Sequence, residues 1–163
     1  MNPAVKILPH YTYCEWETWE GQWELIEGIP HAMGPLPVPK HQQIATSLAA
    51  EFHFQLKKCK HCTTYQPLDY RVADDIILQP DMLVVCGSIT KKYLDFPPAL
   101  VAEILSPGTF LKDRHTKYSI YEAQGILLSH LVTRCGRSRS IFAGKQCICT
   151  KTKRKRFCVY LSF

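Results

Sequence analysis

The sequence predicts an α/β domain in which helices flank a mixed β-sheet. Three observations carry that prediction. Two apolar runs, Ile76–Val85 and Ala99–Leu105, are aliphatic and rich in β-branched residues, as strands covered on both faces are. Before them, Ile44, Leu48, Phe52 and Leu56 recur every four residues, the stripe of an amphipathic helix. After them, residues 112–124 suit a second helix.

Each element follows in chain order. Tyr11 to Trp23 is aromatic and acidic, with Trp16, Trp19 and Trp23, and Glu15 to Glu20 suits a short helix. Glu24 to Ile29 reads as a strand running to a turn. The segment Gly34 to Pro39 is a stiff loop, since each proline fixes φ and removes a donor. His41 to Lys58 is the first long helix, with Ala45 and Ala49 beside its apolar stripe. Gln66 to Val72 alternates as a strand does, and Asp74-Asp75 turns it into the first apolar run. Tyr93 to Pro98 connects to the second run, which Ser106-Pro107-Gly108 stops. Lys112 to Gln124 is the second helix, with Asp113 favourable in its first turn and Gly125 at its C-terminal cap.

A chain of 163 residues with 46% hydrophobic content is one domain's worth of core. No stretch has the roughly 18 apolar residues of a membrane span, and the start lacks the pattern of a signal peptide, so a cytoplasmic location is expected.

Each apolar run holds one carboxylate, Asp81 in the first and Glu103 in the second. An ionised group leaves water only when paired or metal-bound, so both call for a cation. Oxygen ligands from neighbouring strands suit Mg²⁺, which takes one or two carboxylates plus water and phosphate. Asp113, Lys117 and Tyr121 lie four apart on one helix face. From there Lys117 can stabilise negative charge on a phosphate. Plainer readings stand beside these: Asp81 capping a turn after Pro80, Glu103 paired with Arg71 or Lys117, and Lys117 as a solvated helix residue.

These residues resemble the Uma-two group of bacterial endonucleases, within the PD-(D/E)XK nuclease superfamily. The likeness spans about residues 11–125 and rests on Glu24-Leu25-Ile26-Glu27-Gly28, Pro39-Lys40-His41-Gln42 and Gln79-Pro80-Asp81. It continues through Glu103-Ile104-Leu105-Ser106-Pro107 and the helix bearing Asp113, Lys117 and Tyr121. The resemblance implies a restriction-endonuclease-like fold and metal-dependent hydrolysis of a DNA phosphodiester. It makes Asp81 and Glu103 metal ligands and Lys117 the catalytic lysine. The superfamily's lysine sits two residues after the acid, where this chain has Leu105, and Lys117 matches a lysine taken from the following helix. His41, Glu27, Asp113 and Tyr121 are accessory candidates. A homodimer would suit an enzyme that cuts duplex DNA.

Charge divides the chain near residue 125. All 14 acids lie within residues 1–122 against 11 Lys and Arg, a formal −3, and the remaining 9 basic residues give +9 with no acid. Four of the 8 cysteines also fall in this last segment. Residues 1–125 therefore read as the endonuclease-like domain and 126–163 as a basic, Cys-rich tail. An acid-free tail of this kind suggests a shifted reading frame. Synonymous codons exist for Gly125 to Phe163 that, read one base later, encode alternating strands and turns. On that reading the domain's C-terminal strands are lost or altered, with Ile126 to Val132 as a substitute strand. The alternative function is an inactive relic, or weak nucleic-acid binding through Lys151 to Arg156.

Two further clusters read as structural. Cys59-Lys60-His61-Cys62 has half the ligands of a structural zinc site. Reduced thiols are expected throughout. The three tryptophans read first as packing and second as a surface for stacking on bases.

Overall fold

A computed structural model of the chain describes residues 8–34, 37–105, 113–132, 147–152 and 155–160, with side chains described through Ile104 and over 116–126. A single turn of helix, α1 (Tyr13–Trp16), precedes the hairpin of β1 (Trp23–Ile26) and β2 (Ile29–Ala32). The long helix α2 (Pro39–Leu56) comes next, opened by Pro39, whose missing N–H is no loss at a helix start. Then follow β3 (Cys62–Tyr65), β4 (Tyr70–Ala73), β5 (Ile76–Leu78), β6 (Met82–Cys86) and β7 (Leu100–Leu105). The second long helix, α3 (Asp113–Ala123), leads through Gly125 at φ 66° into β8 (Leu127–Val132). A hairpin of β9 (Cys147–Thr152) and β10 (Lys155–Tyr160) completes the described elements.

Two four-stranded sheets form the body. The first has the order β2-β1-β5-β4 and the second β3-β6-β7-β8, with β7 and β8 parallel and its other neighbours antiparallel. Alternation divides the second sheet cleanly. Met82 and Val84 of β6, with Leu100, Ala102 and Ile104 of β7, pack against Leu48, Phe52 and Leu56 of α2. On the opposite face Leu83, Val85 and Val101 pack with Tyr121 of α3 and with Ile26, Tyr70 and Leu78 of the first sheet. The predicted stripe of α2 is thus its core face.

The apolar run 76–85 departs from the single strand expected. It is two strands in two sheets, broken at Gln79-Pro80. Pro80 has no N–H to give a ladder, and the Gln79 N–H is taken by the Glu24 carboxylate at 2.8 Å. The strand expected over 66–72 is confined to β4 at Tyr70–Ala73, and β2 and β3 add to the expected elements. The tail contributes β8, paired with β7 from Leu100↔Leu127 to Leu105↔Val132 as the apolar run 126–132 suggested. It also forms the β9–β10 hairpin, where no matching strands were expected.

The expectation of reduced thiols fails for one pair. Cys62 and Cys86 stand opposite each other in the β3–β6 register, with Cα atoms 4.0 Å apart, and form a disulfide. Facing positions on antiparallel neighbours bring two thiols together without chain movement. Cys62 is therefore not available to half a zinc site. The side chains of Cys147 and Cys149 lie outside the described residues. No helix among the described residues is long and apolar enough to cross a membrane.

Candidate active site

The antiparallel register Met82↔Ala102 continues one step outward to bring Asp81 opposite Glu103. Both carboxylates share the face of β6 and β7 that looks onto α3. Asp81 lies where the chain enters β6, and its Oδ2 accepts the Ile104 N–H at 2.7 Å, which fixes the carboxylate against the neighbouring strand. Its Oδ1 lies 3.2 Å from His41 Nε2, at the start of α2. The His41 Nδ1 is buried and has no hydrogen-bond partner among the described residues.

Glu103 is only 8% exposed. Its Oε1 accepts the Tyr121 hydroxyl at 2.8 Å and lies 3.9 Å from Lys117 Nζ. Tyr121 and Lys117 sit one turn apart on α3, so one helix face supplies both contacts. Burial pushes the Glu103 carboxyl up to about 7. Lys117 opposes that rise, while the nearby charges of Asp81 and Glu24 add to it. Tyr121 is held well above its ordinary value, first by burial and then by the Glu103 charge, so its hydroxyl stays a donor.

Glu24, given no role in the sequence beyond its strand and the family-like motif, is the residue that sequence reasoning missed. It is 4% exposed, and its Oε2 holds Lys117 Nζ at 2.7 Å while Oε1 accepts the Gln79 N–H. The signal lay in the alternation of Trp23-Glu24-Leu25-Ile26. Glu24 shares a strand face with Ile26, and Ile26 belongs to the core. Glu27, the expected accessory, instead lies exposed in the turn between β1 and β2 with φ 51°. Asp113 opens α3, and its side chain lies outside the described residues. The structure thus brings together Asp81, Glu103, Lys117, Tyr121 and His41, adds Glu24, and leaves Glu27 apart.

Two buried carboxylates, Glu24 and Glu103, converge here on the Lys117 ammonium, and half-buried Asp81 stands beside Glu103. The donor set is all oxygen apart from His41, which is the chemistry of a hard divalent cation. Among the described residues, no group of three or more His, Cys, Asp or Glu is arranged to hold a metal ion.

Known proteins agree with this architecture. The solved structure of a protein described as a putative nuclease belonging to DUF820, from Anabaena variabilis ATCC 29413, superposes with a TM-score of 0.61 at 16% identity. The match covers 91% of this chain and 94% of that one. At that identity it establishes the fold, which is restriction-endonuclease-like. No curated protein matches the chain. The family model Uma2, described as "Putative restriction endonuclease", matches residues 10–150 and so runs past the compositional break near residue 125. With that span matched, the chain belongs to the Uma2 family of nucleases.

Proposed function

We propose that this nuclease is metal-dependent and hydrolyses phosphodiester bonds in DNA, with Asp81 and Glu103 as ligands for Mg²⁺. The observation that carries the reading is the excess of buried and half-buried negative charge, Glu103 and Glu24 with Asp81, against Lys117. A desolvated cluster with that imbalance gains most from a divalent cation. The chemistry such an ion supplies is Lewis acidity at the scissile phosphate and acidification of an attacking water. The protein's own residues do the positioning. Ile104 N–H and His41 aim Asp81, and the Tyr121 hydroxyl aims Glu103. Glu24 anchors Lys117, whose ammonium can then meet charge developing on the phosphate. Asp113 remains an accessory candidate from the first turn of α3. A cytoplasmic location goes with the reading, and cleavage of both duplex strands would call on a homodimer.

The test is plasmid cleavage by the purified full chain with Mg²⁺, against the same reaction in chelator. Asp81→Ala and Glu103→Ala are expected to abolish cleavage. Equal cleavage by parent and variants would overturn the assignment. The +9 charge beyond residue 122 favours a second reading, in which the tail binds nucleic acid without cutting it. Binding that falls steeply with salt, in a parent that never cleaves, would select that reading.

A further inference from the structure

The second face of β1 holds a pocket that the carboxylate cluster does not use. Trp23 and Leu25 alternate with Glu24 and Ile26, so Trp23 turns away from the cluster. It joins Trp16, Trp19, Tyr13 and Tyr93 around a cavity of about 150 Å³ with Asp69, Glu17 and Lys92 at its wall. One heterocycle fits such a space, and a drug-sized ligand does not.

The rings are set in advance. Trp16 Nε1–H donates to the Trp23 carbonyl and Trp23 Nε1–H to the Glu20 carbonyl, both at 2.8 Å. Trp19 stands edge-on to Tyr11 and Trp23, with centroids 5.1 and 5.8 Å away. The polar edges of Trp16 and Trp23 are thus satisfied by backbone, and ring surface lines the cavity. An organic cation would suit aromatic walls, but the chain supplies its own. Arg71 lies 4.2 Å over Tyr13, Lys91 lies 5.6 Å from the Tyr93 centroid, and Lys92 lines the cavity. A further cation would meet their repulsion, whereas a neutral planar ring would not. Asp69 and Glu17 add acceptors for exocyclic amino groups.

Placement ties the pocket to the cluster. Leu25 pairs with Ile77, which puts Trp23 and Gln79 opposite each other at one end of the first sheet. The Gln79 N–H is held by Glu24 of the cluster, and its side-chain amide donates to Asp69 of the pocket at 2.9 Å. One residue therefore spans the two. We infer that the aromatic pocket takes a single unstacked nucleobase of the strand whose phosphate lies at the carboxylates, which adds a preference for an unpaired base at the site to the duplex cleavage proposed above. The inference rests on the nuclease reading for its ligand and adds the substrate class.

Binding of short single-stranded oligonucleotides to the full chain, in chelator, tests it by anisotropy and tryptophan fluorescence. Stacking is worth about 1–3 kcal/mol per base, so removing it should weaken binding about tenfold. The parent should quench on binding a mixed-sequence strand and bind an abasic strand of equal length about tenfold more weakly. Trp19→Ala should lose the same factor on the single strand, Trp19→Phe should recover most of it, and duplex binding should change less than twofold. Equal affinity for the normal and abasic strands would overturn the inference even if Trp19→Ala fails to fold. So would displacement by choline as strong as by adenosine. Base-dependent quenching without Mg²⁺-dependent cleavage would uphold the pocket and sink the nuclease assignment. Cleavage with no base dependence of binding would do the reverse.

Discussion

The two faces of β1 differ in how their polar groups are kept. On the Trp23 face, indole N–H groups close on backbone carbonyls, and the charged groups form exposed pairs such as Lys92 with Glu17. Nothing there is buried against its chemistry. On the Glu24 face, Glu24 and Glu103 share one ammonium with Asp81 close by, and burial first, then the Asp81 and Glu24 charges, drives Glu103 toward its protonated form. One face is internally satisfied and the other is charged beyond its own means. The contrast teaches that only the second face stores an imbalance a ligand could relieve.

Breaking the imbalance in the wrong direction should have the largest effect. Lys117→Ala leaves Glu24 and Glu103 buried without their shared ammonium. Loss of one member of a buried pair costs about 3–5 kcal/mol, and cleavage should fall about 10²-fold from the lost charge stabilisation. Urea denaturation and plasmid nicking read the two effects, and a stability change below 1 kcal/mol by the measure for exposed pairs would place Lys117 in solvent.

The next test uses pH. Glu103 keeps its proton to about pH 7 when folded but releases it near 4.5 when unfolded. Between those values the folded state binds more protons, so stability falls as pH rises through that window. The full difference is on the order of 3 kcal/mol. Metal-free protein should show this slope in its urea midpoint, and Glu103→Gln should flatten it. A midpoint that climbs from pH 4.5 to 7 would contradict the burial of Glu103.

Two smaller tests sharpen the contrast. Tyr121→Phe removes the donor to Glu103, which should cost about 1–2 kcal/mol and lower cleavage by misaiming the carboxylate. Trp16→Phe removes the N–H that closes on the Trp23 carbonyl, at a cost of about 1 kcal/mol. It should lower plasmid cleavage less than Tyr121→Phe does. A drop in plasmid cleavage with Trp16→Phe comparable to that of Tyr121→Phe would erase the distinction between the faces.

How far the sequence was legible follows from the range of the interactions. The helices α2 and α3 were readable because a four-residue stripe and a terminal glycine are local signals. Asp81 and Glu103 stood out because an apolar run makes a single carboxylate conspicuous. The split of residues 76–85 was hidden, since it depends on a Glu24 oxygen capturing Gln79 from 55 residues away. The Cys62–Cys86 bond was hidden for the same reason, being set by the register of β3 on β6. Glu24 was half-legible: the alternation placed it beside Ile26, but its partner Lys117 comes from α3. The tail remains a matter for the gene, and we propose that its reading frame is shifted near Gly125. Codons that cannot encode alternating strands one base later would refute that.

The turn at Glu27-Gly28 has a reach its position conceals. With Ile26 paired to Ile29 it is a two-residue loop, and both its residues have positive φ, at 51° and 73°. That is the pattern of a type I′ hairpin, which locks the strands in one alignment. A slip of one residue would exchange the faces of β1. Trp23 would then turn into the carboxylates, and Glu24 would swing out and release Lys117. A surface loop with no side chain in the cluster therefore acts as its alignment key, and lengthening it by one residue should disable both faces at once.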